Sequence, residues 1–201
     1  AFRSARVRRA YALLTLASAV ALADAPTPRP HVLVILTDDQ RWDALGIVQR
    51  ELGDRALFPW LQTPNLDRLA AEGARFANTF VTTSLCSPSR ASLLSGRYAR
   101  RHQVLNNFTE YPNDLPGYPR RLKEAGYETA YIGKWHMGGE SDNPRPGFNH
   151  WESFKGQGDY YNPTLNINGK QVVYKDSTYV TDVLTEHALE WLGNRKKDQP
   201  F

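Results

Sequence analysis

Cys86 is the only cysteine in this chain of 201 residues, and it stands in the string Cys86-Ser87-Pro88-Ser89-Arg90. It has no disulfide partner within the chain, so it is a small buried residue, a stray thiol or a reactive centre. The string falls just ahead of a predicted helix. A helix start carries free backbone N–H groups and the positive end of the helix dipole, which favour an anion. Arg90, one turn into that helix, reaches back to the same place. A second candidate is Asp38-Asp39. Adjacent carboxylates repel each other unless a cation lies between them, and their oxygens suit calcium or magnesium. The pair also reads as an exposed acidic turn with a helix cap. The third is Gly133-Lys134-Trp135-His136, in which Lys134 and His136 face one side if the strand before them continues. Together, two cations, an imidazole, a helix start and a divalent ion make a pocket for a tetrahedral oxyanion, a sulfate or phosphate ester.

The elements that must position these groups alternate between strand and helix. Val32–Leu36 is a continuous apolar run that predicts a strand buried on both faces of a parallel sheet, with Asp38 and Asp39 at its C-terminal end. Thr63, Pro64 and Gly73 bracket a helix as cap, first residue and stop. Residues 75–81 alternate as a strand. A helix follows from Ser87-Pro88 through Leu94, stopping near Gly96, and another spans Tyr118–Ala125, ended by Gly126. A short strand over Glu128–Ile132 delivers Lys134 and His136. Thr164–Tyr174, with Asn168-Gly169 at its centre, predicts a hairpin. Val180, Val183, Leu184, Ala188, Trp191 and Leu192 recur at helical spacing, with Ser177 or Thr178 as cap and Gly193 as stop. Pro200-Phe201 reads as the entrance to a further strand. The alternation predicts an α/β fold with a mostly parallel central sheet flanked by helices.

Cys86-x-Pro88-x-Arg90, followed by Ala91-Ser92-Leu93-Leu94-Ser95-Gly96-Arg97, resembles the signature of the type I sulfatases. The Asp38-Asp39 pair is similar to that family's calcium-binding start, and Gly133-Lys134-Trp135-His136 resembles its second signature. The resemblance runs from about His31 to Phe201. It implies an alkaline-phosphatase-like fold, of which this chain is the N-terminal portion. It also implies that Cys86 is converted to Cα-formylglycine (3-oxoalanine) by a formylglycine-generating enzyme that reads Cys-x-Pro-x-Arg in the unfolded chain. The hydrated aldehyde presents two geminal hydroxyls. One attacks sulfur and displaces the alcohol; the other loses its proton and expels sulfate as the aldehyde re-forms. A serine could form the first ester but has no second hydroxyl to eliminate it.

By the same resemblance, Asp38, Asp39 and the residue-86 side chain ligate one calcium ion. Arg90 holds the hydrated aldehyde, Lys134 bridges nucleophile and sulfate, and His136 hydrogen-bonds the hydroxyl that eliminates sulfate. Further metal ligands and the leaving-group acid are expected beyond Phe201, so the 201 residues alone are expected to be inactive. Residues 101–107, 160–170 and 179–184 are similar to the N-acetylglucosamine-6-sulfatase and heparan endosulfatase branch. The implied substrate is a 6-O-sulfated glucosamine in a glycosaminoglycan-type glycan. His102, Asn106 and Asn107 are candidate sugar contacts or turn residues. Trp135, Trp151, Tyr160 and Tyr161 are candidate stacking surfaces or core. Three alternatives remain: an arylsulfatase or other carbohydrate sulfatase, a phosphoester hydrolase of the same fold, and a non-catalytic binder of sulfated glycans.

Residues 1–23 carry Arg3, Arg6, Arg8 and Arg9, then an apolar run to Ala21-Leu22-Ala23. This is the pattern of a secretory signal peptide, implying export to the periplasm or the extracellular space. The run is too short to span a bilayer comfortably, so no stable membrane insertion is expected once it is cleaved. Proline-rich residues 24–30 read as a linker and 31–201 as part of one catalytic domain. The formal charge of +4 comes from the signal, because its removal leaves 21 basic against 21 acidic residues. That balance argues against a nucleic-acid partner.

Overall fold

The computed structural model describes residues 29–201, so the expected signal peptide and most of the linker lie outside the described residues. Val32–Phe201 form one compact unit. Its elements in chain order are α1 (Gly46–Leu52), a 3-10 turn (Gly53–Arg55), α2 (Pro64–Glu72), α3 (Cys86–Ser95), α4 (Ala99–His102) and α5 (Tyr118–Glu124). Strands β1 (Ala130–Ile132), β2 (His150–Ser153), β3 (Thr164–Ile167) and β4 (Lys170–Val173) follow, and α6 (Val180–Asn194) comes last. The sheet is mixed, in the order β1-β2-β3-β4. β1 and β2 are parallel, with Tyr131 opposite Trp151; the other two pairings are antiparallel. The α/β class is as the sequence predicts, although the parallel part is confined to one pair.

The hairpin is where Asn168-Gly169 puts it, and for the expected reason. Both residues have positive φ, 51° and 90°, as a two-residue turn between right-twisted strands requires. Asn168 also accepts from the Trp151 N–H, and Asn166 from the Gly169 N–H, which fixes the register of the hairpin on β2. α2 begins at Pro64 as expected. Thr63, however, serves the neighbouring helix: its hydroxyl accepts from Gly46 N–H, and Asp67 accepts from Ile47 N–H. These are the first two donors of α1, which has no capping side chain of its own. α6 starts after Tyr179 and runs through Gly193 to Asn194, so neither the expected caps nor the expected stop applies.

Two predicted strands are not formed. Val32–Leu36 forms no strand and is exposed; Ile35 is 76% accessible. A strand buried on both faces needs a paired backbone on each side. Among the described residues this run has one such bond, from Val32 N–H to Phe201 C=O. Residues 75–81 are irregular, with a bend at 77–78, and Phe76 and Phe80 are exposed.

Two apolar clusters hold the rest. The first joins α3 to the sheet through Ala91, Leu94, Val104, Tyr111, Trp135, Met137 and Trp151. Tyr131 stacks on Trp151 at 5.0 Å, and Trp135 meets Trp151 edge-on at 5.3 Å. Trp135 and Trp151 are therefore core and not stacking surfaces for a sugar. The second cluster, Phe154, Leu165, Val180 and Val183, seats α6 on the hairpin. A buried carboxylate reinforces that seat. Glu152 on β2 bonds His150 Nε2 at 2.7 Å and His187 Nδ1 of α6 at 2.5 Å. Burial pushes its carboxyl up, but the two imidazole bonds outweigh that and hold it below the usual carboxylate range. Leu165 is fully buried at the centre of the second cluster. Replacing it with alanine removes buried methyl groups and leaves a cavity, so denaturant unfolding is expected to show a loss of about 2–5 kcal/mol. A loss well under 1 kcal/mol would contradict this packing.

Candidate active site

Cys86 is the first residue of α3, after Leu85 in extended conformation, and is half-buried as a free thiol. Two bonds set this helix start. Asn107 Oδ1 accepts from Ser87 N–H at 3.0 Å, and the buried Ser87 hydroxyl donates to His136 C=O. The first ties α3 to the loop after α4; the second ties it to the segment leaving β1. Four residues on, Arg90 is 7% exposed. Its guanidinium donates to Lys134 C=O at 2.6 Å and to Asp38 Oδ2 at 3.3 Å.

β1 ends at Ile132, so Lys134 and His136 are not placed by a continuing strand. Gly133 breaks the run with φ of 137°, and His136 lies in the left-handed region at 43°. The chain there is held by its neighbours: Lys134 C=O accepts from Arg90 and from the Tyr131 hydroxyl. Burial pushes the Tyr131 phenol up to about 12, so it stays a donor. Trp135 and Met137 point into the first core cluster. Packing of these two leaves Lys134 and His136 for the site.

The Lys134 ammonium is the hub. It lies 3.8 Å from Cys86 Sγ, forms an ion pair with Asp38 Oδ2, and donates to Gln157 Oε1 at 2.5 Å. Burial acts to raise the Asp38 carboxyl. The Lys134 bond and the charges of Lys134 and Arg90 outweigh it and keep Asp38 ionised below the usual carboxylate range. The His136 imidazole is buried, and its Nδ1 has no hydrogen-bond partner among the described residues. Burial first, then the Lys134 and Arg90 charges, push its pKa down against the pull of Asp38, so the ring is neutral near pH 7. Asp39 is exposed and turns the chain with φ of 51°.

Lys134 thus joins Cys86 to Asp38, Arg90 joins the group through Asp38 and the Lys134 carbonyl, and His136 adjoins them through its backbone and the electrostatics of its ring. The donor chemistry at Asp38-Asp39 fits a hard cation. Calcium takes about six to eight oxygens, and no cluster of three His, Cys, Asp or Glu side chains gathers among the described residues. An ion on these carboxylates would share Asp38 Oδ2 with Lys134.

Three candidate sugar contacts have other work. His102 is 1% exposed, with Nε2 on the Ser92 hydroxyl at 3.0 Å and Nδ1 accepting from Val104 N–H at 3.1 Å. Both ring nitrogens are used within the fold. Asn106 caps its own turn by accepting from Phe108 and Thr109 N–H, and Asn107 holds the start of α3. Tyr160 and Tyr161 are exposed. Gln157 was not foreseen, because it lies 23 residues beyond Lys134; the flanking Gly156 and Gly158 are the only local sign of a built loop.

Known proteins resemble this chain in sequence and in fold. A sulfatase family model matches residues 30–201. An N-acetylglucosamine-6-O-sulfatase of Bacteroides thetaiotaomicron is 38% identical over 193 residues, covering 94% of this chain and 32% of that protein. The human N-acetylglucosamine-6-sulfatase is 33% identical over 199 residues, covering 88% of this chain and 33% of that protein. A solved structure described as a complex with its substrate D-glucosamine-2-N,6-O-disulfate superposes with a TM-score of 0.75 at 38% identity, covering 86% of this chain and 33% of that one. The chain spans about a third of the length of these relatives. Within that third the family match takes in every strand and helix among the described residues and every residue of the site, and the chain belongs to the sulfatase family, with its alkaline-phosphatase-like α/β fold.

Proposed function

We propose that this chain carries the nucleophile-bearing part of a sulfate-ester hydrolase acting on 6-O-sulfated glucosamine in a glycosaminoglycan-type glycan. The observation that carries the reading is the meeting at residue 86. A half-buried Cys86 Sγ at a helix start lies 3.8 Å from an ammonium that is itself held by an ionised carboxylate and backed by a buried guanidinium. Lys134 and Arg90 supply positive charge where an oxyanion would bind, and the first N–H groups of α3 add to it. Relatives named for 6-sulfated glucosamine support the choice of sugar.

A formylglycine at position 86, once hydrated, supplies one hydroxyl to take the sulfuryl group from the alcohol and a second to release sulfate. Sγ marks where those oxygens stand in for sulfur. Lys134, within reach of that position, bridges nucleophile and sulfate. Arg90 steadies the deprotonated hydrate. The neutral His136 ring accepts a proton from the hydroxyl that eliminates sulfate. A calcium ion on Asp38, Asp39 and the residue-86 side chain would supply Lewis-acid stabilisation of the sulfate oxygens. Conversion of Cys86 belongs before folding. Ser87 and Arg90 are buried and Pro88 is fully so, and a modifying enzyme cannot read Cys86-x-Pro88-x-Arg90 inside a packed helix. The signal-like residues 1–23 fit export to the compartment where such glycans are met.

The test is turnover by the protein isolated from its own host. N-acetylglucosamine-6-sulfate, an aryl sulfate and N-acetylglucosamine-6-phosphate are compared at equal concentration. Sulfate release from the first, well above the other two, is expected. Preference for the phosphate ester would overturn the sulfatase reading, and preference for the aryl sulfate would overturn the sugar assignment.

A further inference from the structure

The Lys134 ammonium has three N–H donors, and three acceptors surround it: Cys86 Sγ, Asp38 Oδ2 and Gln157 Oε1. The Lys134 side chain is only 13% exposed, so water contributes little to holding it. Two of the three acceptors belong to the chemistry already described. The third is a neutral amide on the loop between β2 and β3. We propose that Gln157 is a positioning residue for Lys134, holding the ammonium over residue 86 against the pull of Asp38. The proposal rests on the sulfatase reading for its catalytic consequence, but not for the contact itself.

The direction of the argument is electrostatic. An ammonium offered one carboxylate and one weak sulfur acceptor settles on the carboxylate. An uncharged acceptor on a different side fixes the orientation of the ammonium without adding negative charge beside a sulfate. The loop that presents Gln157 is built for a fixed reach. Gly156 and Gly158 both have positive φ, 53° and 70°, and Gly158 N–H closes the turn on Lys155 C=O at 3.0 Å. A Cβ on Gly158 would lie 2.4 Å from the Phe154 ring, and Phe154 is anchored in the second apolar cluster. The turn is therefore pressed against packed core, with Gln157 at its tip.

The variants are Gln157→Ala, Gln157→Glu and Gln157→Asn in the protein from its host. Two readouts are taken. The first is the 15N signal of the Lys134 ammonium, whose protons survive exchange only while hydrogen-bonded. It is expected at one shift in the wild type, moved in Gln157→Ala and in the shorter Asn, where Asp38 still holds the ammonium, and returned towards the wild-type shift in Glu, which keeps an oxygen at the same reach. The second is turnover of N-acetylglucosamine-6-sulfate. Gln157→Ala is expected to lower kcat about 10²-fold, the order of cost for a misplaced reacting group, with KM little changed. Gln157 is exposed, so the melting temperature should hold. An ammonium signal unmoved in Gln157→Ala, or an unchanged kcat, overturns the proposal. If the wild type turns over no sulfate ester, the sulfatase reading fails, while the ammonium signal still decides the contact.

Discussion

Replacing Cys86 with serine is expected to cut steady-state sulfate release by about 10⁴-fold or more, the scale seen when a nucleophile acting as part of a unit is removed. The reason is chemical and not steric. A serine hydroxyl in that place, 3.8 Å from Lys134 Nζ in the parent geometry, could accept the sulfuryl group once. It has no second hydroxyl to expel it. Alcohol should therefore appear in at most one equivalent per protein, with no matching sulfate, and Cys86→Ala should release neither. Rapid-quench measurement of alcohol and sulfate separates the two variants. Both should fold. Cys86 contributes its carbonyl to the Ser89 hydroxyl at 3.0 Å, and that bond is independent of the side chain. Multiple turnovers by Cys86→Ser within tenfold of wild type would contradict the two-hydroxyl account.

Lys134→Ala is expected to lower kcat about 10²–10³-fold, as for other single groups aimed at developing oxyanion charge. The backbone at this position is held from outside by Arg90 and Tyr131, which both donate to Lys134 C=O. Truncation therefore removes the ammonium and leaves the chain in place. Asp38 keeps Arg90 at 3.3 Å and is 38% exposed, so the stability loss should stay near 1 kcal/mol. Lys134→Arg should not restore full activity, because a planar guanidinium cannot serve acceptors on three sides as an ammonium does. Steady-state kinetics beside thermal unfolding check both parts. A kcat within a few fold of wild type in Lys134→Ala would contradict the role given to the ammonium.

What could be read in the sequence follows from how local each determinant is. The hairpin was legible because Asn168-Gly169 needs only its own backbone, and both residues have the required positive φ. α2 and α3 were legible from Pro64 and from Ser87-Pro88 for the same reason. The Cys86, Arg90, Lys134 and Asp38 meeting was legible because each stands in a short motif. The failures are of pairing and burial. Val32–Leu36 has the composition of an inner strand, but pairing is a property of the backbone beside it, and among the described residues only Val32 finds a backbone bond. β2 was missed because His150 and Glu152 look like surface residues. Glu152 is in fact 4% exposed, and the imidazole of His187, 35 residues away, satisfies it. His102 looked like a ligand contact, yet the helix-to-helix bond to Ser92 takes it inside. Gln157 carries no motif at all, and only the close fit of Gly158 on the Phe154 ring shows why its loop reaches Lys134.

The central claim is that residue 86 acts as an aldehyde and not as a thiol. Trypsin should release Phe76–Arg90 as a single peptide, since no lysine or arginine interrupts it. Taken from the native host, that peptide should have the mass in which the Cys86 CH₂–SH group has become an aldehyde, and it should couple to a hydrazide probe. A peptide that is entirely thiol, alkylated by iodoacetamide and silent to hydrazide, would contradict the account.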